Sequence, residues 1–538
     1  MAVSTTHLTR DMIPETLFRF SEKFARHGKE AFLVGGAVRD ILITGDMSRS
    51  DFDFATNAHP HEVQRIFRRT IPTGITHGTV TVLFEGQTFE VTTYRADGAY
   101  SDGRHPDSVH FSDTIEEDLM RRDFTVNAIA CDLAELRFID PYGGMDDLDR
   151  RVIRAVGDPI ARFRDDGLRV LRACRFAGKL LFTIDGETEA AIPKALDVFK
   201  QVAHERVRDE LFKIMASDRP SVALEAMRET GLLAIVLPEL LEGYGVAQNE
   251  YHIHDIYYHN LHSCDAANKE LPLVRFAALL HDIGKKRALD NAHRRAGPDE
   301  TVFHNHENIG ARMANELLRR LKFSNHDREH ITHLIRHHMF HYTDEWSDGA
   351  VRRLIRNAGL DNLPDLFELR RADRIGNGKK RGPSRTMEKL QQRIHYILEE
   401  ANAISVKDLA INGSDVMNVF AIQPGRIIGD LLSFLLEHIL DHPEENTRER
   451  LLPIAEKFLR ERGVSSAEQG DRGAAPAREG VSGKTQNAEQ GDVSAEMSSA
   501  TPDAPCAGPG TSAAPHRGAA NGLARLFAPI WKALRRKA

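Results

Sequence analysis

Asp51 and Asp53 stand one residue apart at the end of the stretch FLVGGAVRDILITGDMSRSDFDFAT, residues 32–56. On a strand, side chains at i and i+2 share a face, so the two carboxylates project together while Phe52 and Phe54 pack beneath them. Two carboxylates on one sheet edge need a cation, and hard oxygen donors select Mg²⁺. Upstream, Gly35 and Gly36 end the apolar run Phe32-Leu33-Val34 and open a helix-like segment that carries Val38, Arg39, Asp40, Ile41 and Leu42. A glycine turn at a helix start lets backbone N–H groups approach phosphate oxygens, and the helix dipole adds attraction. Mg²⁺ beside a phosphate cradle is equipment for in-line nucleotidyl transfer. A Gly-Gly is more often a plain turn and an Asp-x-Asp a solvated edge; their occurrence within 25 residues favours the chemical reading.

Four further sets carry reactive types. Glu90 is either a third carboxylate facing the Asp pair or an exposed strand residue. Arg121 and Arg122 could neutralise phosphate, with Asp123 and Asn127 one turn apart to fix them or a ribose; a solvated helix face is the plainer alternative. In DPIARFRDDGLRVLRACRFAG, residues 158–178, Asp166, Arg169, Arg172 and Arg175 recur at steps of three and form one polar stripe. A carboxylate accepts from exocyclic amines and Arg donates to ring nitrogens, carbonyls or phosphate, so the stripe could read a base edge. Finally, His259, His281-Asp282 and Asp373 occur in that order with His304, His306, His337 and His338 between them. Such side chains ligate divalent ions, although 26 His in the chain make chance clustering real.

The ordered set GG-x-V-R-D with D-x-D, then R-R-D-F-T-x-N-A, then D-x-x-R-x-x-R-x-x-R resembles the class II tRNA nucleotidyltransferase/poly(A) polymerase family of the DNA polymerase β superfamily. The likeness takes in Tyr94–Pro106, similar to the family's flexible loop, and Glu205–Leu211 (ERVRDEL), similar to its last head–neck motif. It implies Mg²⁺ on Asp51 and Asp53 and triphosphate contacts from Gly35, Gly36 and Arg39. It also implies nucleotide contacts from Arg122 and Asp123, and base pairing of CTP or ATP with Asp166 and Arg169, with Arg172 and Arg175 nearby. Asp165-Asp166 stands where the family usually has Glu-Asp. The implied activity is template-independent addition of CMP and AMP to tRNA 3′ ends, with A-addition or poly(A) synthesis as alternatives. Thr73–Val82 looks more like the tRNA enzymes than the polymerases. Leu279–Lys285 (LLHDIGK) resembles the HD phosphohydrolase signature. That likeness implies a metal on His259, His281, Asp282 and Asp373, with His306 and His337 supporting a second ion or the phosphate. A metal-dependent phosphohydrolase is accordingly the rival function from another class.

The elements that must position these groups follow from patterning. Residues 1–30 read as an amphipathic helix burying Ile13, Leu17, Phe18, Phe20, Phe24 and Ala25. Residues 60–69 form a helix opened by Pro60. Gly78–Phe84 and Thr88–Tyr94 are alternating β-branched runs and form a hairpin. Residues 95–107 are a Gly- and Asp-rich mobile loop whose Arg95, Asp97, Tyr100, Arg104 and His105 could touch substrate. The fold class expected is an α/β nucleotidyltransferase (polymerase β-like) head, residues 1–155, then a helical neck, 156–245. An all-α HD body, 246–400, and a tRNA-binding tail, 401–462, follow. In that tail Asn412-Gly413 reads as a turn and Pro424-Gly425 precedes an amphipathic helix. Gly376–Arg385 is a basic linker suited to tRNA phosphates.

Residues 463–522 are rich in Gly, Ala, Ser, Pro and Gln and are expected to be disordered. Residues 523–538 combine Leu526, Phe527, Ile530 and Trp531 with basic residues, a segment for RNA, an anionic membrane surface or a protein partner. In 538 residues with net charge −7 there is no bilayer-length apolar run and no signal-peptide core. Four dispersed cysteines give neither a zinc ribbon nor a disulfide framework. A reduced cytoplasmic setting is expected.

Overall fold

The structure, a computed structural model, describes residues 9–45, 52–75, 78–97, 109–248, 253–296, 302–379, 384–399 and 405–464. The expectations for Asp51, for the side chains of Asp97, Tyr100, Arg104 and His105, and for everything beyond residue 464 fall outside that description. The chain divides into two compact units, residues 1–344 with 357–391, and residues 345–356 with 392–538.

The first unit opens with α1 (Glu15–Ala25), β1 (Ala31–Val34), α2 (Gly36–Thr44), β2 (Phe52–Thr56), α3 (Pro60–Ile66), β3 (Thr70–Gly74), β4 (Thr79–Phe84) and β5 (Gln87–Thr93). The short strands β6 (Arg95–Asp97) and β7 (Val109–Phe111), α4 (Ile115–Met120), β8 (Ala130–Asp132), β9 (Arg137–Ile139) and α5 (Gly144–Arg150) follow. Seven strands make one mixed sheet in the order β3-β4-β5-β2-β1-β8-β9, with β2 parallel to β5 and antiparallel to β1. The β4–β5 hairpin turns at Glu85 and Gly86, both at positive φ (49° and 79°), as a turn matching strand twist requires. One sheet face buries Phe54 and Phe89 against Phe20 of α1, with ring centroids 4.8 and 4.2 Å apart. The other carries Ala55, Val34 and Ala130 beneath Ile115 and Leu119 of α4. Helix α1 starts only after Pro14, and Ala25, expected inside, is exposed because it falls off the Leu17–Phe24 stripe.

A helical region follows, with β10 (Val152–Ile153) parallel to β11 (Thr183–Ile184) at its entrance. It comprises α6 (Pro159–Asp165), α7 (Leu168–Leu180), α8 (Gly186–Ala191), α9 (Leu196–Phe199), α10 (His204–Met215), α11 (Pro220–Glu229), α12 (Leu233–Val236) and α13 (Pro238–Leu241). Next come α14 (Ile256–Ala266), α15 (Pro272–Leu280), α16 (Lys285–Ala296), α17 (His306–Arg320), α18 (Asn325–His337), α19 (Asp348–Ala358) and α20 (Leu363–Gly376).

Then follow α21 (Arg385–Glu399), α22 (Gly413–Phe420), α23 (Arg426–Asp441) and α24 (Arg448–Glu461). The core of the second unit gathers Val416, Leu431, Leu435, Ile439, Leu451 and Phe458. Asn412-Gly413, expected as a turn, opens α22: the Asn412 side chain accepts from Ser414 and Asp415 N–H while Asp415 reaches back to the Asn412 N–H. Among the described residues no helix is long and apolar enough to cross a membrane.

Candidate functional site

Gly35 joins β1 to α2 at φ 73° and ψ −133°, a conformation open to glycine alone among common residues. A Cβ built there would lie 3.4 Å from both Asp53 Oδ2 and Arg122 Nη1, so carboxylate and guanidinium converge on the glycine turn. Asp53 sits in register with Glu90 on parallel β5, which puts the two carboxylates on one face; Glu90 is exposed. The donor set at this edge is all oxygen, which fits a hard divalent ion.

Helix α4 ends at Met120, and Asp118, fully buried, ties back both arginines that follow it. Asp118 Oδ1 accepts from Arg121 Nη2 at 2.7 Å and Oδ2 from Arg122 Nη2 at 3.1 Å. Burial alone would raise the Asp118 pKa, but the two guanidinium groups hold it below the ordinary carboxylate value. Arg39 is buried rather than extended outward: Nη1 donates to Asn127 Oδ1 at 2.7 Å, Nη2 to Asp40 at 2.7 Å, and the guanidinium lies over Phe176. Asn127 Nδ2 in turn donates to Asp123 Oδ1 at 3.1 Å, and Arg172 Nε to Asp123 Oδ2 at 2.8 Å. Against burial, Arg172 and Asn127 hold Asp123 down at about 2.

The polar stripe differs from its expected form. The helix breaks at Asp165-Asp166-Gly167, so Asp166 occupies an extended joint (φ −146°, ψ 108°) between α6 and α7, and only the arginines ride on α7. Gly167 packs there against Val198, where a Cβ would come within 2.9 Å of the backbone. Arg169 Nη2 donates to the Arg121 carbonyl at 2.9 Å and Nη1 to the Arg162 carbonyl at 3.0 Å, linking the stripe to the Arg121–Arg122 pair. Arg175 Nε donates to buried Glu210 at 2.5 Å, and its guanidinium covers Phe176.

Two partners were not anticipated. Arg206 grips Asp166 with two bonds, Nη1 to Oδ1 at 3.0 Å and Nη2 to Oδ2 at 2.7 Å, and Glu210 gathers Arg175, Lys213 and Arg172. The signal for Glu210 was its phase: Val207, Glu210, Leu211, Ile214 and Met215 follow helical spacing, which puts a carboxylate on the apolar side of α10.

The histidine cluster assembles from several helices. His259 Nε2 on α14 lies 3.2 Å from Asp282 Oδ2 and 3.2 Å from Asp373 Oδ1 on α20, with His281 Nε2 3.3 Å from Asp282 Oδ2. On the opposite oxygen, Asp282 Oδ1 stands 3.3 Å from His306 Nε2 and 3.7 Å from His338 Nε2. His338 therefore takes the place expected for His337, which turns away and packs its ring on His333; His304 is exposed. Gly284 permits this meeting, because a Cβ there would strike the His306 carbonyl at 2.2 Å.

The Nδ1 atoms of His281, His306 and His338 point at the carbonyls of Ala278, Phe303 and Ile335 at 2.7–2.8 Å, which turns each Nε2 inward. Asp282 Oδ1 and His306 Nε2, both buried, make no hydrogen bond. Two facing acceptors fit a cation between them. Burial opposes charge on His281, yet Asp282 and Asp373 lift it to about 10, while burial, with His281 beside it, pushes His338 down to about 3. Lys285 Nζ reaches Asp282 Oδ2 at 2.6 Å and Gln248 at 2.6 Å.

Residues 31–154 match the poly A polymerase head domain, 181–243 the probable RNA and SrmB-binding site of polymerase A, and 301–455 the putative tRNA nucleotidyltransferase domain 2. A CCA-adding enzyme of Anoxybacillus flavithermus is 33% identical over 434 residues, 80% of this chain and 94% of that protein. One from Geobacillus thermodenitrificans is 47% identical over 217 residues, 40% and 53% of the two chains. The crystal structure of the Bacillus stearothermophilus CCA-adding enzyme in complex with CTP aligns with TM-score 0.62 at 29% identity, over 84% of this chain and 98% of that one.

Proposed function

Because this chain belongs to the CCA-adding enzyme family, we propose that it adds CMP and then AMP, from CTP and ATP, to the 3′ end of tRNA without a nucleic-acid template. The observation that carries this reading is the junction of two half-sites: the Arg169 bond to the Arg121 carbonyl fixes the base-reading joint to the paired arginines beside Gly35 and Asp53.

Asp53, with Asp51 two residues before it, would hold Mg²⁺, which supplies Lewis-acid activation of the tRNA 3′ hydroxyl and charge neutralisation at the departing pyrophosphate. The N-terminus of α2 and Arg122 would bind the triphosphate, with Arg121 and Arg39 setting the positive field behind it. Asp166 would accept from the amino group of cytosine or adenine and Arg169 would lie beside it. Arg172 would set Asp123, and Asp123 with Asn127 would set Arg39. Residues 1–155 serve as the head, 156–245 as the neck, 246–400 as the HD body and 401–462 as the RNA-gripping tail, in a cytoplasmic enzyme.

The second reading, metal-dependent phosphohydrolysis at His259, His281, Asp282 and Asp373, is favoured by the unbonded pair Asp282 Oδ1 and His306 Nε2. Those residues, with His338, would hold divalent ions supplying an activated water.

The test is incubation of the protein and Mg²⁺ with tRNA lacking its 3′ CCA, resolved at single-nucleotide steps. Growth by two with CTP, and by a third only with ATP, is the expected result. Growth confined to tRNA ending in CC would mean A-addition, long ladders poly(A) synthesis, and no growth would overturn nucleotidyl transfer. Asp53→Ala should abolish extension and leave hydrolysis of a phosphodiester such as bis-p-nitrophenyl phosphate; His281→Ala should do the reverse.

A further inference from the structure

We propose that Arg206 determines base selection by fixing the carboxylate of Asp166, a positioning role that rests on the nucleotidyl-transfer reading above. Asp166 is not held by a helix of its own. It sits in the extended joint between α6 and α7, where only the Leu168 N–H, donating to Oδ1 at 3.0 Å, comes from its own segment. The remaining constraint arrives from forty residues away, as the two-pronged bond from Arg206 in the first turn of α10. Such a fork fixes both the position and the plane of a carboxylate, which a single donor does not.

The base chemistry makes that plane matter. Cytosine and adenine present an exocyclic amino donor beside a ring acceptor; uracil and guanine present a carbonyl beside a ring N–H. A fixed carboxylate accepts from the first pair and faces a carbonyl lone pair in the second. Arg169 is itself held beside Asp166, its Nη atoms donating to the Arg121 and Arg162 carbonyls and to Asp165. Arg206 occupies one lone pair of each Asp166 oxygen, the Leu168 N–H takes the second on Oδ1, and the remaining lone pair of Oδ2 is left for an amino group. Both side chains keep a solvent-facing edge, 24% and 17% exposed, through which a base can reach them.

The arm that carries Arg206 is rigid. Glu210, one turn on, binds Arg175 and Arg172 of α7, and at the far end of α10 Arg275 of α15 donates to the Met215 and Ser217 carbonyls at 2.6 and 2.5 Å. Selection therefore depends on a residue that acts through Asp166.

The experiment measures kcat and KM for single additions of CTP and UTP to tRNA lacking CCA, and of ATP and GTP to tRNA ending in CC. It uses the full chain and its Arg206→Ala, Arg206→Gln, Asp166→Ala and Asp166→Ala/Arg206→Ala variants, each with a thermal unfolding curve. Arg206→Gln keeps most of the bulk with one neutral donor, so a folding defect in the alanine variant does not decide the outcome. In both single Arg206 variants the kcat/KM ratios of CTP over UTP and ATP over GTP should fall about tenfold or more, the scale of a charge-assisted pair. The double variant should be no less selective than Asp166→Ala. Ratios that hold while all four nucleotides weaken equally would mean a structural role and overturn the proposal. Independent, additive losses in the double variant would also overturn it. A wild-type chain that extends no tRNA would instead overturn nucleotidyl transfer, a result visible before any variant is made.

Discussion

Replacing Glu210 with Gln keeps the side chain's shape and removes its charge from a site only 2% exposed. Three cations meet there: Arg175 Nε at 2.5 Å, Lys213 Nζ at 2.8 Å and Arg172 Nη1 at 3.8 Å. Burial opposes the charged carboxylate, but Arg175 and Arg172 hold it below the ordinary glutamate range. Burial also pulls down Arg175, with Glu210 the chief group opposing that shift. Without Glu210, Lys213 retains water and Arg172 retains Asp123 at 2.5 Å, so Arg175 alone is left as a buried, uncompensated charge. Breaking a buried pair from one side costs about 3–5 kcal/mol. The Phe176 ring 3.9 Å from the Arg175 guanidinium offsets about 1 kcal/mol of that. The expected net loss is therefore about 2–4 kcal/mol.

Both tryptophans, Trp346 and Trp531, lie outside α7 and α10. Native-state hydrogen exchange of the α7 and α10 amides is thus the suitable assay, and it also separates this unit from the other. A loss below about 1 kcal/mol would refute the reasoning. So would failure of Arg175→Met to restore stability in the Glu210→Gln background, because removing the stranded charge should recover most of it.

The remaining predictions concern other groups. Asp123 falls from an ordinary 3.8 to about 2, so it binds its proton less readily folded than unfolded. Its contribution of about 2 kcal/mol is present above about pH 4 and lost as pH drops toward 2; an acid-unfolding curve unchanged in Asp123→Asn would contradict this. Gly35→Ala should cost about 1–3 kcal/mol of strain and disturb both Asp53 and Arg122, lowering tRNA extension far more than the shift in Tm accounts for. His338→Ala should reduce the equivalents of transition metal bound by the purified chain, counted by mass spectrometry after dialysis against Zn²⁺ or Mn²⁺. His337→Ala should leave that count unchanged, and equal effects from the two would mean that the Asp282 Oδ1 side holds no ion.

Local chemistry made much of the head legible. The Gly35-Gly36 turn, the β2 carboxylate, the Pro60 helix start and the β4–β5 hairpin each depend on a few adjacent residues. The histidine cluster was legible in its residue types, and helical phase would have chosen between the adjacent pair. His338 follows the buried Ile331, Leu334 and Ile335 of α18, whereas His337 shares a face with His333. The same phase argument singles out Glu210, and the Asp-Asp-Gly run at 165–167 is a turn signal that breaks a stripe read as continuous helix. What no local pattern supplies is a partner distant in the chain: Arg206 for Asp166, or Asn127 for Arg39.

The buried charges share one physical property. Glu210, Asp118, Arg39 and Arg175 are charges on packed faces, each nearly buried and each committed to another charged or polar group. A buried charge persists only when its surroundings fix it, and a fixed charge can in turn fix its neighbour. In this chain the groups proposed to meet nucleotide, Asp53, Arg122, Asp166 and Arg169, lie on a strand facing the Gly35 turn, just past a helix end and at a joint between helices. Such places depend on buried charges behind them for rigidity. The sharpest contrast is accordingly between Arg206, whose loss should change which nucleotide is chosen, and Glu210, whose loss should change how firmly α7 and α10 stay together. If both variants shifted stability and selectivity in the same proportion, the division between holding the fold and aiming the site would fail.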